Sequence, residues 1–405
     1  MAHPVLSRLL LAKALRGFGD GFVSLLLPVY LLHLGLRPLE VGLVATATLA
    51  GSGLLTLGVG LQGRRLHRRT VLLAASVLMA LTGFALAAVH GFWPLMLVAL
   101  AGTLNPSGGD VSVFMPMEHA TLAEDTPPAR RTAVFARYSL AGTLSAAVGA
   151  LAAGLQPLLA KAAGVDTGTT LQAAFVLYGL LGIAVAFVYR GLPRHEQAAS
   201  AAPAASALGP SRKRIYVLAG LFSLDAFGSG FFVQSLLALW LFQRFGMSVE
   251  AAGTLFFWTG VLTAFSYLVA ARLAGRIGLV QTMVYTHLPS SLCLIAIPFC
   301  NSLWLVVALL LLRGALSQMD VPTRSSYVMA IVHPSERAAA ASMTSVPRSF
   351  ASAVSPALAG WLLTASSFGW PLIVGGVVKV VYDLLLLVMF EKVKPPEEGG
   401  AGLGG

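Results

Sequence analysis

Stretches of about twenty mostly apolar residues, each nearly free of charge, follow one another along the whole chain. In hydrocarbon every backbone N–H and C=O must be paired within the segment, so such stretches fold as membrane-spanning helices. They lie near 8–34, 40–61, 70–89, 92–119, 129–155 and 170–190, then near 215–243, 249–272, 278–299, 302–331, 336–365 and 370–391. The order predicts an all-α membrane protein of twelve transmembrane helices, with six in 1–190, a polar linker over 191–214 and six in 215–391. The charged, Gly-rich tail 392–405 is expected to be disordered. Composition agrees: 57% of the 405 residues are hydrophobic and 11% are charged, against about 25% charged in soluble domains. No small-residue cleavage site follows the apolar start, so Met1 to Leu11 reads as the beginning of the first helix.

The formal charge of +11 need not mean nucleic acid. If the N-terminus is cytoplasmic, that side holds 17 of the 27 basic residues, and the outer loops hold only Arg37, Lys161 and Arg244. Basic residues gather on cytoplasmic loops and meet anionic lipid headgroups. Both termini and the linker are therefore expected inside. The excess of Arg over Lys and the abundant Ala suit a GC-rich bacterial genome, and hence a bacterial inner membrane. Cys293 and Cys300, the only two cysteines, make neither a disulfide framework nor a metal spacing.

The halves repeat one another. The first segment carries Gly17-Phe18-Gly19-Asp20-Gly21-Phe22 and the seventh Ala226-Phe227-Gly228-Ser229-Gly230-Phe231. Asp110 precedes Arg137 by 27 residues, and Asp320 precedes Arg348 by 28. The loop after the second segment includes Gly60, Arg64, Arg65, Arg68 and Arg69; a second-half echo runs from Ala271 to Gly278. With Arg313-Gly314 and Ser355-Pro356, this loop resembles the signatures of the major facilitator superfamily, although Arg64 stands where that family usually has an acid. The resemblance implies two pseudo-symmetric six-helix bundles around a central cavity lined by the first, fourth, seventh and tenth helices. It also implies transport of a small-molecule substrate.

Charges inside the spans are costly and tend to face a partner or a wet cavity. Asp20, Asp110, Asp225 and Asp320 fall one on each of the four helices that the resemblance places around the cavity. At the helical rise, Asp110 and Arg137 sit at matching depths of roughly 13 and 12 Å. They are expected to pair, as is Asp320 with Arg348 or with Arg324 one turn on. Such pairs serve either as packing clamps or as gates that re-pair during transport. Asp20 has only Arg16 nearby in sequence. A carboxyl in a dry site favours its protonated form, which makes Asp20 a candidate proton or substrate contact, with Asp225 as a second. Lys379 and Asp383, four apart in the last segment, suggest a local pair, and Glu118 a residue snorkelling to the interface. Phe231, Gln234 and neighbouring aromatics suit an amphipathic organic ligand.

Nucleotide-binding, zinc-protease and nucleophile-elbow motifs are absent from the sequence, so no enzyme, metal or cofactor is expected. The leading expectation is a monomeric, proton-coupled exporter of small amphipathic molecules, in contact with protons and membrane lipids. Proton-coupled or facilitative uptake is the alternative; a lipid flippase or a sensor is the reading from another class.

Overall fold

The computed structural model describes residues 4–62, 67–105, 113–126, 131–193, 209, 211–332, 336–391 and 393. Among them there is no strand. The helices are α1 (Pro4–His33), α2 (Pro38–Gln62), α3 (Arg68–Ala88), α4 (Phe92–Ala101), α5 (Phe114–Asp125), α6 (Arg131–Ala153), α7 (Gln156–Ala163) and α8 (Thr167–Arg190). The second half holds α9 (Arg212–Gly230), α10 (Gln234–Phe245), α11 (Val249–Ile277), α12 (Leu279–Ala296), α13 (Leu303–Leu316), α14 (Asp320–Ile331), α15 (Arg337–Ala365) and α16 (Trp370–Phe390). Among the described residues, ten helical stretches are long and apolar enough to cross a membrane. The α4–α5 pair and α15 occupy the other two of the twelve segments. Trp304, Val388 and Trp93 are 83, 80 and 74% exposed, as side chains solvated by lipid should be.

Three segments read as single helices are interrupted. Gly102 ends α4, where the sequence turns to Asn, Pro and Gly. The seventh breaks at Phe231 to Val233, after Gly228 and Gly230. The tenth breaks at Ser317 to Met319, and Pro322 then falls in the first turn of α14, where its missing N–H costs no helical bond. By contrast α1 runs unbroken through its glycines and Pro28. Gly246, at φ +60°, closes α10 in the left-handed conformation that glycine tolerates.

The chain forms two compact units. The first comprises Met1–Ala198, Phe232–Val261 and Pro356–Gly369; the second comprises Ala199–Phe231, Leu262–Ser355 and Trp370–Gly405. In the first, α1 lies on α6 with backbone nearly touching backbone. A Cβ at Gly17 would sit 2.6 Å from the Gly142 carbonyl oxygen, and one at Gly21 would collide with that of Ala146. Leu9, Leu72, Phe114 and Tyr189 fill its core. The C-terminal end of α15 is stitched to α2 by Ala357 N–H to Thr46 Oγ1 and Leu39 N–H to Thr364 Oγ1, both at 3.0 Å. The second unit packs α9, α12, α14 and α16 around Phe222, Met283, Tyr327 and Leu386.

Candidate functional site

Small and apolar residues bring α9, α12, α14 and α16 together, and at their meeting a set of charged side chains is sealed from solvent. Asp225, His287, Asp320, Arg324, Lys379 and Asp383 are all at least nine-tenths buried. The Lys379 ammonium donates to Asp225 Oδ1 at 2.6 Å. Arg324 forks, one nitrogen donating to Asp225 Oδ2 at 3.3 Å and the other to Asp320, one turn away. Its guanidinium also lies over the Phe222 ring, 5.3 Å from the centroid. His287 Nδ1 lies 2.8 and 3.0 Å from the two oxygens of Asp383. Its Nε2 is 3.2 Å from Lys379 Nζ and 3.7 Å from Asp225 Oδ1. An ammonium can only donate, so Nε2 accepts from Lys379 and Nδ1–H donates to Asp383. The network thus assigns a neutral imidazole held between a carboxylate and an ammonium.

At Lys379 the arrangement reaches further than the local pair expected from sequence: its ammonium, whose charge also acts on Asp383, bonds across to Asp225 of α9, and Asp383 is held by His287 of α12. Asp320 takes Arg324 as its partner. Arg348 on α15 is half-buried and makes no hydrogen bond or ion pair among the described residues, and its Nε is buried without a partner. His287 escaped the sequence reading entirely, although a lone ionisable residue in an apolar span is itself a signal.

The first unit holds a second buried pair. Arg16 donates to Glu118, which also accepts from the hydroxyls of Tyr138 and, at 2.7 Å, Tyr189. Arg16 stacks on Phe114 at 4.1 Å, and Lys13 lies 5.0 Å over Tyr138. Glu118 is therefore no snorkelling residue: it is fully buried and ties α1, α5, α6 and α8 to one carboxylate. Asp20 is half-buried on α1, within electrostatic reach of Arg16 and Tyr178. Phe231 is buried against Phe227, and Gln234 opens α10, half-buried.

Asp110, Arg64 and Arg65 lie outside the described residues, and Arg137 is exposed. Gly60 belongs to the last turn of α2, and Arg68 begins α3. Arg69 donates to the Arg190 carbonyl at 2.6 Å, and Arg8 donates to that of Gly191. Two cations thus cap the negative end of α8, where the linker departs. Among the described residues no three His, Cys, Asp or Glu side chains gather as a metal site.

Likeness to known proteins points the same way. The chain is 26% identical to an uncharacterized membrane protein of Saccharomyces cerevisiae, YJR124C, over 93% of this chain and 92% of that one. In fold it is similar to a bacterial homologue of the human lysosomal transporter Spinster in an inward-facing, occupied conformation (TM-score 0.74, 15% identity, 96% of this chain and 97% of that one). It is also similar to the nucleoside transporter NupG (TM-score 0.73, 14% identity, 96% and 99%). The human organic anion transporter MFSD10 gives a TM-score of 0.68 at 18% identity, over 95% and 99%. At such identities these structures share the fold alone. The sequence profile of the Major Facilitator Superfamily matches residues 9–242 and again 218–404, once over each half. This multi-pass membrane protein belongs to the Major Facilitator Superfamily, a family of transporters.

Proposed function

We propose that this protein is a proton-coupled secondary transporter that moves a small amphipathic organic molecule by alternating access, with His287 as the proton-loading group. The observation that carries the reading is the competition for one oxygen. Lys379 holds Asp225 Oδ1 at 2.6 Å while His287 Nε2 waits 3.7 Å from it. A proton arriving on Nε2 removes the acceptor that Lys379 uses and creates a donor aimed at Asp225. Imidazolium and ammonium then stand 3.2 Å apart with no acceptor between them, and they repel. Lys379 withdraws, and the ties among α9, α12, α14 and α16 change partners. A low-dielectric interior makes that exchange energetically large, so it can drive one packing to another. Asp20, half-buried on α1, is a second proton or substrate contact.

The basic loops favour a cytoplasmic N-terminus, linker and C-terminus. Export, the direction favoured from sequence, and uptake run the same cycle in opposite senses. The test is flux in liposomes under an imposed proton gradient, with labelled benzoate, benzamide and benzylammonium offered in turn. Gradient-driven movement of one probe, abolished by a protonophore and by His287→Gln, is the expected result, and its sense gives the direction. Movement indifferent to the gradient in both proteins would sink the coupling.

A further inference from the structure

Arg348 on α15 is the cation the network leaves over. It is half-buried, so a ligand can reach it, whereas Arg324 and Lys379 are sealed and engaged. Arg324, Asp225 and Asp320 lie within electrostatic reach of Arg348. An ionisable side chain inside a span that makes no ion pair of its own marks a ligand contact by default, because its N–H donors stay open. A second group points the same way. The Tyr382 hydroxyl is fully buried, has no hydrogen-bond partner among the described residues and lies within electrostatic reach of Arg324, Asp225 and Asp320. Arg348 and Tyr382 also act on each other electrostatically. A buried hydroxyl left without a partner is unfavourable, and an anion at Arg348 would supply one.

We infer that Arg348 is the anion-recognition residue of the transport site, assisted by the Tyr382 hydroxyl, and that the substrate carries a carboxylate or phosphate group. The inference rests on the transport reading above and names its substrate class. A planar guanidinium binds either oxyanion through two parallel N–H bonds.

Charge balance then explains why anion and proton travel together. With His287 neutral, Asp225, Asp320 and Asp383 are matched by Arg324, Lys379 and Arg348. An anion on Arg348 leaves one negative charge in excess, and a proton on His287 Nε2 cancels it. The groups facing His287 are Asp383, Lys379 and Tyr382 of α16 and Asp225 of α9, and Arg324 with Asp320 of α14 joins them through the Arg324–Asp225 bond. Of these, only Lys379 and Asp225 must move to admit the proton.

The experiment measures binding of benzoate, phenyl phosphate, inorganic phosphate, benzamide and benzylammonium to the purified full-length protein. Benzoate or phenyl phosphate should bind, with benzamide and benzylammonium weaker by about tenfold or more. Inorganic phosphate binding as tightly as phenyl phosphate assigns the site to the free ion; weaker binding assigns it to an organic anion. In weakly buffered solution, binding of the anion should take up protons, and His287→Gln should not. Arg348→Gln should lose anion binding by about tenfold or more, and Arg348→Lys should keep part of it. Should Arg348→Gln fail to fold, phenylglyoxal modification of the wild-type protein decides: benzoate, and not benzamide, should protect the Arg348 peptide. Equal binding of benzoate and benzamide, unchanged anion binding in Arg348→Gln, or no anion binding to the wild type overturns the inference. Anion binding at Arg348 with no flux in liposomes overturns the transport reading instead. Proton-driven flux of the neutral or cationic probe alone leaves transport standing and removes the anion.

Discussion

Glu118 shows what one buried carboxylate can hold. It balances Arg16 and accepts from two tyrosine hydroxyls, so each of its oxygens is occupied. Removing one partner of a buried pair leaves a charge without compensation, which costs about 3–5 kcal/mol. Glu118→Gln keeps the shape and loses the charge, so the purified protein should melt at markedly lower temperature; Tyr189→Phe, which deletes one neutral donor, should cost only about 1 kcal/mol. Equal melting temperatures for wild type and Glu118→Gln would show that Arg16 finds another counter-charge. Four-residue spacing pointed from Arg16 to Asp20 and from Lys379 to Asp383, because local periodicity is all a single sequence displays. In both pairs the two groups do act on each other electrostatically, while the bonds from Arg16 to Glu118 and from Lys379 to Asp225 join residues 102 and 154 apart in the chain. Spacing reaches Asp320 and Arg324, which do lie one turn apart, and it cannot reach Glu118 or His287, whose partners sit on other helices.

Among the elements, composition reveals the helices well and their interruptions poorly. A hydrophobic run through Phe231 to Val233 looks continuous by hydropathy, and only the glycines before it hint that α9 stops. Close helix approach is more legible, since small residues at three- and four-residue intervals mark it. Gly17, Gly21, Gly142 and Gly149 follow that pattern and do bring α1 against α6. Gly21→Leu should therefore prevent this contact, because the new Cβ would meet the Ala146 carbonyl oxygen, a backbone atom that cannot turn aside. Yield of monodisperse protein should fall sharply. Gly220→Ala is the control: a Cβ there meets nothing within 4 Å, and alanine favours an exposed helix interior by about 0.5–1 kcal/mol. If Gly21→Leu purifies and melts like Gly220→Ala, the α1–α6 approach is looser than described.

At the scale of the whole molecule, the orientation proposed for the chain rests on the asymmetry of its basic residues. A loop rich in Arg stays on the side of synthesis, while a loop with few basic residues crosses. A cytoplasmic N-terminus would place 17 basic residues on one side and three on the other, which makes the bias strong. It also positions the capping arginines, because Arg8 and Arg69 meet the end of α8 only if the N-terminus and the loop after α2 share a side. With the native cysteines replaced (Cys293→Ala, Cys300→Ser), single cysteines at Lys161 and at Ser200 should label differently. A membrane-impermeant maleimide applied to intact cells should modify Lys161→Cys, and Ser200→Cys only after the membrane is opened. The reverse pattern would invert the topology, and with it the side from which His287 is loaded for a given flux. Equal labelling of both would mean a mixed insertion, in which case a gradient-driven flux could have no single sense.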